Sequence, residues 1–389
     1  MTTAIQVQYR RGTQAQIAAF TGAAGEINVD TTNNRVVVQD GATAGGWPAA
    51  KLSEIGGGHL NKFRNGTMDV WQRGTSSLTA TTSGAYTADG WIVLPAGASV
   101  TAAQAGGRLL TKASLQVTGA SSVTDLIIKQ RIESLIAAAL CSQIVTVQAQ
   151  VYNNTGGSIT PKLTVNRPSV QDNYTSVTAD VNGVSLQSCA NAAWTQIGYT
   201  FQANAASYNG LEIVFDFGNN FGANSRIIQI TECDIRVTNG IPAGLTPSNL
   251  IPTAELRPIH IELSANQRYF ASSFGNSNAP ANDTGLYYET AGFYYTATGI
   301  ASALIPFPTQ MRAVPSTVTF YSSNNVGSPT NAQWQYFVGG SWTDPGSGGG
   351  TAAHALTVLG FLVLATSASS GTAGVGIFMA GGWTAGAEI

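Results

Sequence analysis

Short runs of alternating or β-branched residues, each closed by Asn, Gly or Ser, fill most of this chain, and they constrain the fold more than any other feature. "QIVTVQAQVY" (Gln143–Tyr152), "PKLTVNR" (Pro161–Arg167), "WTQIGYTFQA" (Trp194–Ala203), "LEIVFDFG" (Leu211–Gly218) and "RIIQITECDIRV" (Arg226–Val237) follow one another with small polar turns between them. Alternation of period two marks strands, and many short strands with frequent turns mark an all-β chain. Charged residues are only 10% of the sequence, against about 25% in an average globular protein, while 43% is hydrophobic. That balance excludes ordinary disorder, which needs high charge and low hydrophobicity.

Two breaks divide the 389 residues. The first is "EIGGGHLNK" (Glu54–Lys62), and the second is the proline-rich "NGIPAGLTPSNLIPTAELRP" (Asn239–Pro258), which would interrupt strand pairing. The expected units are 1–55, a Gly-rich linker 56–62, a middle domain 63–238, a connector with a short helix 239–270, and a C-terminal domain 271–389. For the middle domain, two antiparallel sheets in a jelly-roll sandwich fit best. Its exception is "KQRIESLIAAAL" (Lys129–Leu140), read as a strand running into a helical turn. In the connector, "IHIELSANQRYF" reads as a short helix with Ile259, Leu263 and Tyr269 near one face. The C-terminal domain is again strand-rich, and no strict internal repeat occurs.

The first unit pairs an alternating "AIQVQYRR" (Ala4–Arg11) with "TQAQIAAF", whose Ile17 and Phe20 have helical spacing. "GEINVD" and "RVVVQD" then form a hairpin across "TTNN". A unit of this size with few large apolar residues has trouble stabilising itself, and self-association is one remedy.

Chemistry finds little support. "RVVVQDGATAGGWP" has the valines and glycines of a phosphate loop, but neither the Gly-Lys-Ser/Thr nor a following helix. Asp40-Gly41 and Gly45-Gly46 read instead as tight turns. There is no G-x-S-x-G, and His59, His260 and His354 sit apart from any base-and-orienter pattern. Glycoside hydrolysis needs only two carboxylates, for which Asp216, Glu232 and Asp234 are the candidates. Glu232 and Asp234, two apart on a strand, also suit a structural calcium ion or an exposed polar face. No other cofactor is expected. Cys141, Cys189 and Cys233 have neither disulfide nor metal-ligand spacing and read as buried free thiols of a chain made in a reducing cytoplasm.

A net charge of −2 gives no electrostatic reason to bind nucleic acid or an anionic membrane. "MTTAIQVQYRRGT" lacks the order of a secretory signal. The longest apolar run, "ALTVLGFLVLATSA" (Ala355–Ala368), falls short of the ~20 residues of a membrane helix and reads as a buried strand. Aromatics offer more, because Trp and Tyr supply apolar contact with a polar handle. Tyr287, Tyr288, Tyr294, Tyr295, Trp334, Tyr336 and Trp342 crowd the C-terminal domain. Adjacent tyrosines on a strand face opposite ways, so about half can meet a partner. Trp334 and Trp342, beside glycine-rich loops, are the better surface candidates, with Tyr336, Tyr288 and Tyr295 after them.

The segment 4–51, through "RRGT", "GAAGE", "VDTT" and "DGATAGG", resembles the major tropism determinant N-terminal domain of bacteriophage tail fibres and receptor-binding proteins. The resemblance implies a small β module that forms homotrimers and joins the fibre to a tail or baseplate protein. "RNGTMDVWQRGT", "TADGW", "KQRIE", "AAWTQIGYTF" and "ITECDIRV" resemble carbohydrate-binding jelly rolls of phage fibres. "ANQRYF", "FPTQMRAVPSTVTFYS" and "GWTAGAEI" resemble fibre tips, although Asn266 stands where that family often has a cysteine. Together these imply an elongated homotrimer with a C-terminal β-sandwich tip. Its place would be the virion tail, after synthesis in the host cytoplasm. It would bind a host surface polysaccharide or lipopolysaccharide without catalysis, with no nucleic acid or membrane insertion. The rival readings are a glycan depolymerase tailspike and a spacer or collar fibre without receptor contact.

Overall fold

The computed structural model describes residues 9–49, 60–108, 111–239, 241–245, 254–255, 257–281, 286–323, 333–343, 351–367 and 370–389. The chain is predominantly β, as its alternation requires. The Gly-rich linker, except residues 60–62, and much of the proline-rich connector lie outside the described residues, as do His59 and residues 4–8 of the expected first strand.

In the first unit, strand Arg10–Gly12 runs parallel to Ile27–Asp30. The latter forms the expected hairpin with Arg35–Val38, and Trp47–Pro48 completes the sheet. Helix Gln14–Ala18 starts at Thr13, where a reciprocal bond pair with Gln16 satisfies two free amides. The glycine-rich stretch is a turn, as its sequence suggests. Asp40 accepts from the Ala42 and Thr43 amides, the Thr43 hydroxyl and Trp47 Nε1. These bonds, the Thr43 hydroxyl foremost, hold its carboxyl well below the usual range.

The middle region is two facing antiparallel sheets. One runs Asn173–Ser185, Lys162–Val170, Leu211–Asp216, Asp125–Ile132, Trp91–Ala96, Ala85–Tyr86; the other Gly244–Leu245, Ala193–Gln202, Ile144–Asn154, Ile227–Val237, Ala113–Thr118, Val100–Gly106, Leu78–Ala80. Their inner faces enclose one core, with Leu115, Val117, Ile128, Val145, Val147, Ile213 and Ile230 among its members. Strand Asp125–Ile132 runs into helical turns at Ser134–Leu140, as read from the sequence. Cys189 and Cys233 are buried, Cys141 is half-buried, and all three are free thiols.

Helix Ile259–Gln267 follows, and it corrects one expectation. Tyr269, just beyond it, is buried, but Ile259 is exposed; the helix residues that are buried are Glu262 and Asn266. Glu262 accepts from the Asn65 amide and pairs with Arg257 at 3.3 Å, so the helix docks through a satisfied carboxylate and not an apolar stripe.

In the C-terminal region the strands form one branched antiparallel sheet about the long strand Gly376–Gly386. Tyr288–Tyr294 and Gln335–Val338 flank its first half; Thr317–Ser322 and Phe270–Ser272 pair with its second. The sandwich-like core forms where strand Gly360–Thr366 brings Phe361 against Trp383 (ring centroids 5.4 Å) and Phe320 (6.0 Å). Among the described residues of the long apolar run, Gly360–Thr366 is the strand, with Phe361, Val363 and Ala365 inward, while Leu359 is exposed.

The middle and C-terminal regions meet through a polar joint. Arg73 pairs with Asp89 at 2.8 Å and with Glu388 at 2.9 Å. The Ile389 backbone oxygen accepts from Tyr86 Oη (2.9 Å) and Arg131 Nη1 (2.7 Å). Gln72 Nε2 donates to Phe270 O, Asn276 Oδ1 accepts from the Trp71 amide, and Arg268 pairs with Glu133.

Candidate functional site

The C-terminal region presents an aromatic face. Strands Gln335–Val338 and Ser341–Thr343 form a hairpin whose two turn residues, Gly339 and Gly340, have φ of 60° and 87°. Two consecutive positive φ values match the twist of the flanking strands and favour glycine. The hairpin sets Trp342 opposite Phe337, and Phe337 opposite Phe378 on the long strand. Directly opposed residues of an antiparallel pair share a face, so these three form a row across three strands. Phe378 is opposite Ala291 in turn, and Phe293, two residues on, extends the same face. Phe378 is 59% exposed and Trp342 39%, with their neighbours Phe293 and Phe337 also exposed. Phe337 and Trp342 meet edge to face at 5.5 Å.

This face sorts the residues expected from sequence. Trp342 lies on it, and Tyr295, in phase with Phe293, is exposed as well. Tyr288 is half-buried and packs toward the core. Trp334 and Tyr336 correct the surface expectation, since both are fully buried. Tyr336 lies opposite Met379, in the inward phase. Trp334 lies on Gly381, where an added Cβ would collide with its ring, and its Nε1 donates to Gly382 O. Phe337, Phe378 and Phe293 were not anticipated; their phase opposite Tyr336, Met379 and Tyr294 was the available signal.

The first unit has a second apolar face that is exposed among the described residues. Strand pairing sets Ile27 opposite Val38 and Val38 opposite Trp47; Val29 is opposite Val36. Ile27, Val36, Val38 and Trp47 are all exposed, Trp47 by 64%. The buried side of this small sheet holds Asn28, Asp30, Val37 and Gln39.

The carboxylate candidates do not converge. The strand Ile227–Val237 bulges opposite Gln148–Gln150, and Glu232 has φ of 50°, so the expected shared face for Glu232 and Asp234 is lost. Glu232 faces Arg108 at 3.8 Å, and Asp234 is bonded by Arg236 and the Glu255 amide. Asp216 accepts from the Gly218 amide. Among the described residues no three His, Cys, Asp or Glu side chains gather as a metal would require. No helix among them is long and apolar enough to cross a membrane.

Comparison with known proteins gives the following. The tail fiber receptor-binding protein of Bordetella phage BPP-1 is 67% identical over 51 residues, which span 13% of this chain and 13% of that relative. Among solved structures, the enzymatically active domain of a bacteriophage CBA120 tailspike is similar over 46% of this chain and 22% of its own (11% identity, TM-score 0.32). A CBM22 xylan-binding domain from Paenibacillus barcinonensis is similar over 43% of this chain and 96% of its own (16% identity, TM-score 0.28). At these scores the solved neighbours establish no shared function. Residues 7–43 match the family model of the major tropism determinant N-terminal domain.

Proposed function

We infer that this protein is a bacteriophage tail-fibre attachment protein that binds a glycan on the host surface without catalysis. The observation that carries the reading is the exposed row Trp342, Phe337 and Phe378 across three paired strands. Aromatic rings held by strands offer apolar contact at low ordering cost, which suits the apolar faces of sugar rings. The match to a phage attachment domain at residues 7–43 supports the same reading from the other end of the chain. There, the face of Ile27, Val36, Val38 and Trp47 would be covered by two further copies or by a tail protein. Three identical tips would multiply a weak contact to a repetitive polysaccharide or lipopolysaccharide. Residues 63–238 would extend the fibre.

Adsorption of phage carrying Trp342→Ala with Phe378→Ala tests this reading. The expected result is loss of adsorption with unchanged melting of the purified chain. Unchanged adsorption overturns the tip as receptor contact, and a changed mass in solution would assign the face to contacts between copies. The purified protein is expected to release no reducing sugar from host polysaccharide.

A further inference from the structure

An asparagine followed by glycine can lose its side-chain amide to its own main chain, because glycine puts no Cβ in the way of the attacking nitrogen. The sequence has four such steps, Asn65-Gly66, Asn182-Gly183, Asn209-Gly210 and Asn239-Gly240. The glycine of the fourth lies outside the described residues. The fold sets the other three in different surroundings.

Asn65 and Asn209 are held. Asn65 is fully buried; its Nδ2 donates to Val70 O at 2.8 Å and to Asp89 O at 3.1 Å, and its Oδ1 accepts from the Val70 amide at 2.9 Å. The carbonyl oxygen of Cys233 lies close against Gly66. Asn209 ends the helical turn Ala205–Asn209, with Nδ2 bonded to Pro168 O and Ser169 O. The Gly210 amide, the nucleophile of that step, donates to Ser207 O at 3.0 Å. Such bonds must break before a ring can close. At about 1 kcal/mol each, two of them slow the reaction roughly tenfold or more.

Asn182 is placed otherwise. It lies in strand Asn173–Ser185, the outermost of its sheet. There the pairing jumps from Val165 opposite Val181 to Leu163 opposite Val184, so Asn182 and Gly183 together face Thr164 in a bulge. Gly183 has φ of 60°, and no atom of a non-adjacent residue lies within 4 Å of the place a Cβ would take. Its amide donates to the Thr164 hydroxyl at 3.0 Å, in an exposed setting. The Asn182 side chain is exposed and, among the described residues, has no hydrogen-bond partner.

We propose that Asn182 is a self-modification site, converted to aspartate and isoaspartate by the Gly183 amide as the protein ages. Hydroxide takes the Gly183 amide proton and the nitrogen attacks Asn182 Cγ. The Cγ–Nδ2 bond breaks, and the amide nitrogen leaves as ammonia with a proton from water, which restores the hydroxide. Water then opens the cyclic imide at either carbonyl. One opening gives aspartate; the other gives isoaspartate, whose main chain is longer by one methylene. The register is already broken at this bulge, so the strand accommodates the extra carbon and the modified chain stays folded. Each event adds one negative charge, at the sheet edge, to a chain of formal net charge −2. This chemistry is independent of what the protein binds.

Incubation of the full chain at mildly alkaline pH in heavy-oxygen water, followed by peptide mapping in a mass spectrometer, tests the proposal. The amide-to-acid mass shift, with heavy oxygen taken up, is expected at Asn182 at least about tenfold faster than at Asn65 and Asn209, with isoaspartate among the products. In urea, where the fold no longer separates them, the three should convert at similar rates. Native Asn182 converting no faster than Asn65 or Asn209 overturns the proposal. So does a product that is aspartate alone, because isoaspartate arises only through attack by the main-chain amide. An equal lead for Asn182 in urea overturns the role given to the bulge.

Discussion

Arg73 Nη2 lies 2.9 Å from Glu388 Oε1, across the boundary between the middle and C-terminal regions, while its Nη1 holds Asp89 at 2.8 Å. One guanidinium thus serves two carboxylates, and the ring of Phe270 lies 3.6 Å beneath it. Removing one member of a buried charge group leaves the others uncompensated. Arg73→Ala should lower the unfolding free energy by about 3 kcal/mol and expose the joint to limited proteolysis near residue 270. Urea unfolding and a protease time course measure both.

Asp89 gives the joint a pH dependence. Burial outweighs the pull of Arg73 and Gln72 and raises its carboxyl from 3.8 to about 6. A carboxyl whose folded pKa exceeds its unfolded value stabilises most in its protonated form. Its contribution is complete below about pH 4 and is lost as pH rises through about 6. Against Asp89→Asn, which has no such titration, the wild type should lose about 2 kcal/mol between pH 4 and pH 6. Melts of both proteins from pH 4 to 7.5 show whether the difference follows that curve.

Trp334 and Trp342 should behave as opposites although they are eight positions apart. Trp334→Ala empties a fully buried site and should cost about 3–5 kcal/mol. Gly381→Ala, which drives a methyl into the same indole, should cost about 1–3 kcal/mol. Trp342→Ala should stay within about 1 kcal/mol of wild type and act on adsorption instead. Thermal melts of the three variants separate the two roles.

In the first unit, Thr13→Ala removes the helix cap and should cost about 1 kcal/mol. Val38→Lys leaves the single-chain packing intact but charges the exposed face. Sedimentation should then report weaker self-association or weaker tail docking for Val38→Lys, and no such change for Thr13→Ala.

Much of the architecture was legible because strands announce themselves locally. The hairpin across "TTNN", the capped helix after Thr13 and the strand-to-helix passage at Lys129–Leu140 each follow from neighbours in sequence. Which face of a strand is buried is not local information. Trp334 goes inside because Gly381 and Gly382, far downstream, leave room for it and for Phe274. Phe378 goes outside because Ile377 and Met379 already fill the inner phase. The acidic pair at Glu232 and Asp234 failed for a related reason: a bulge shifts the register between them, and no residue pattern declared it. Buried Asp89 and Glu262 depend on partners distant in the chain, so sequence spacing gave no sign of them.

The Arg73–Glu388 contact also orders events during synthesis. It joins positions 315 residues apart, so its first half leaves the ribosome roughly 15–60 s before its second at ordinary elongation rates. Throughout that interval Arg73 has Asp89 as its acid and the Phe270 ring is the next partner to arrive, while the place of Glu388 is open to solvent. The middle sandwich can close early on its own core, but its seam with the C-terminal region is sealed only when residues 388 and 389 emerge, making nascent-chain timing a determinant of how faithfully the two halves are mated.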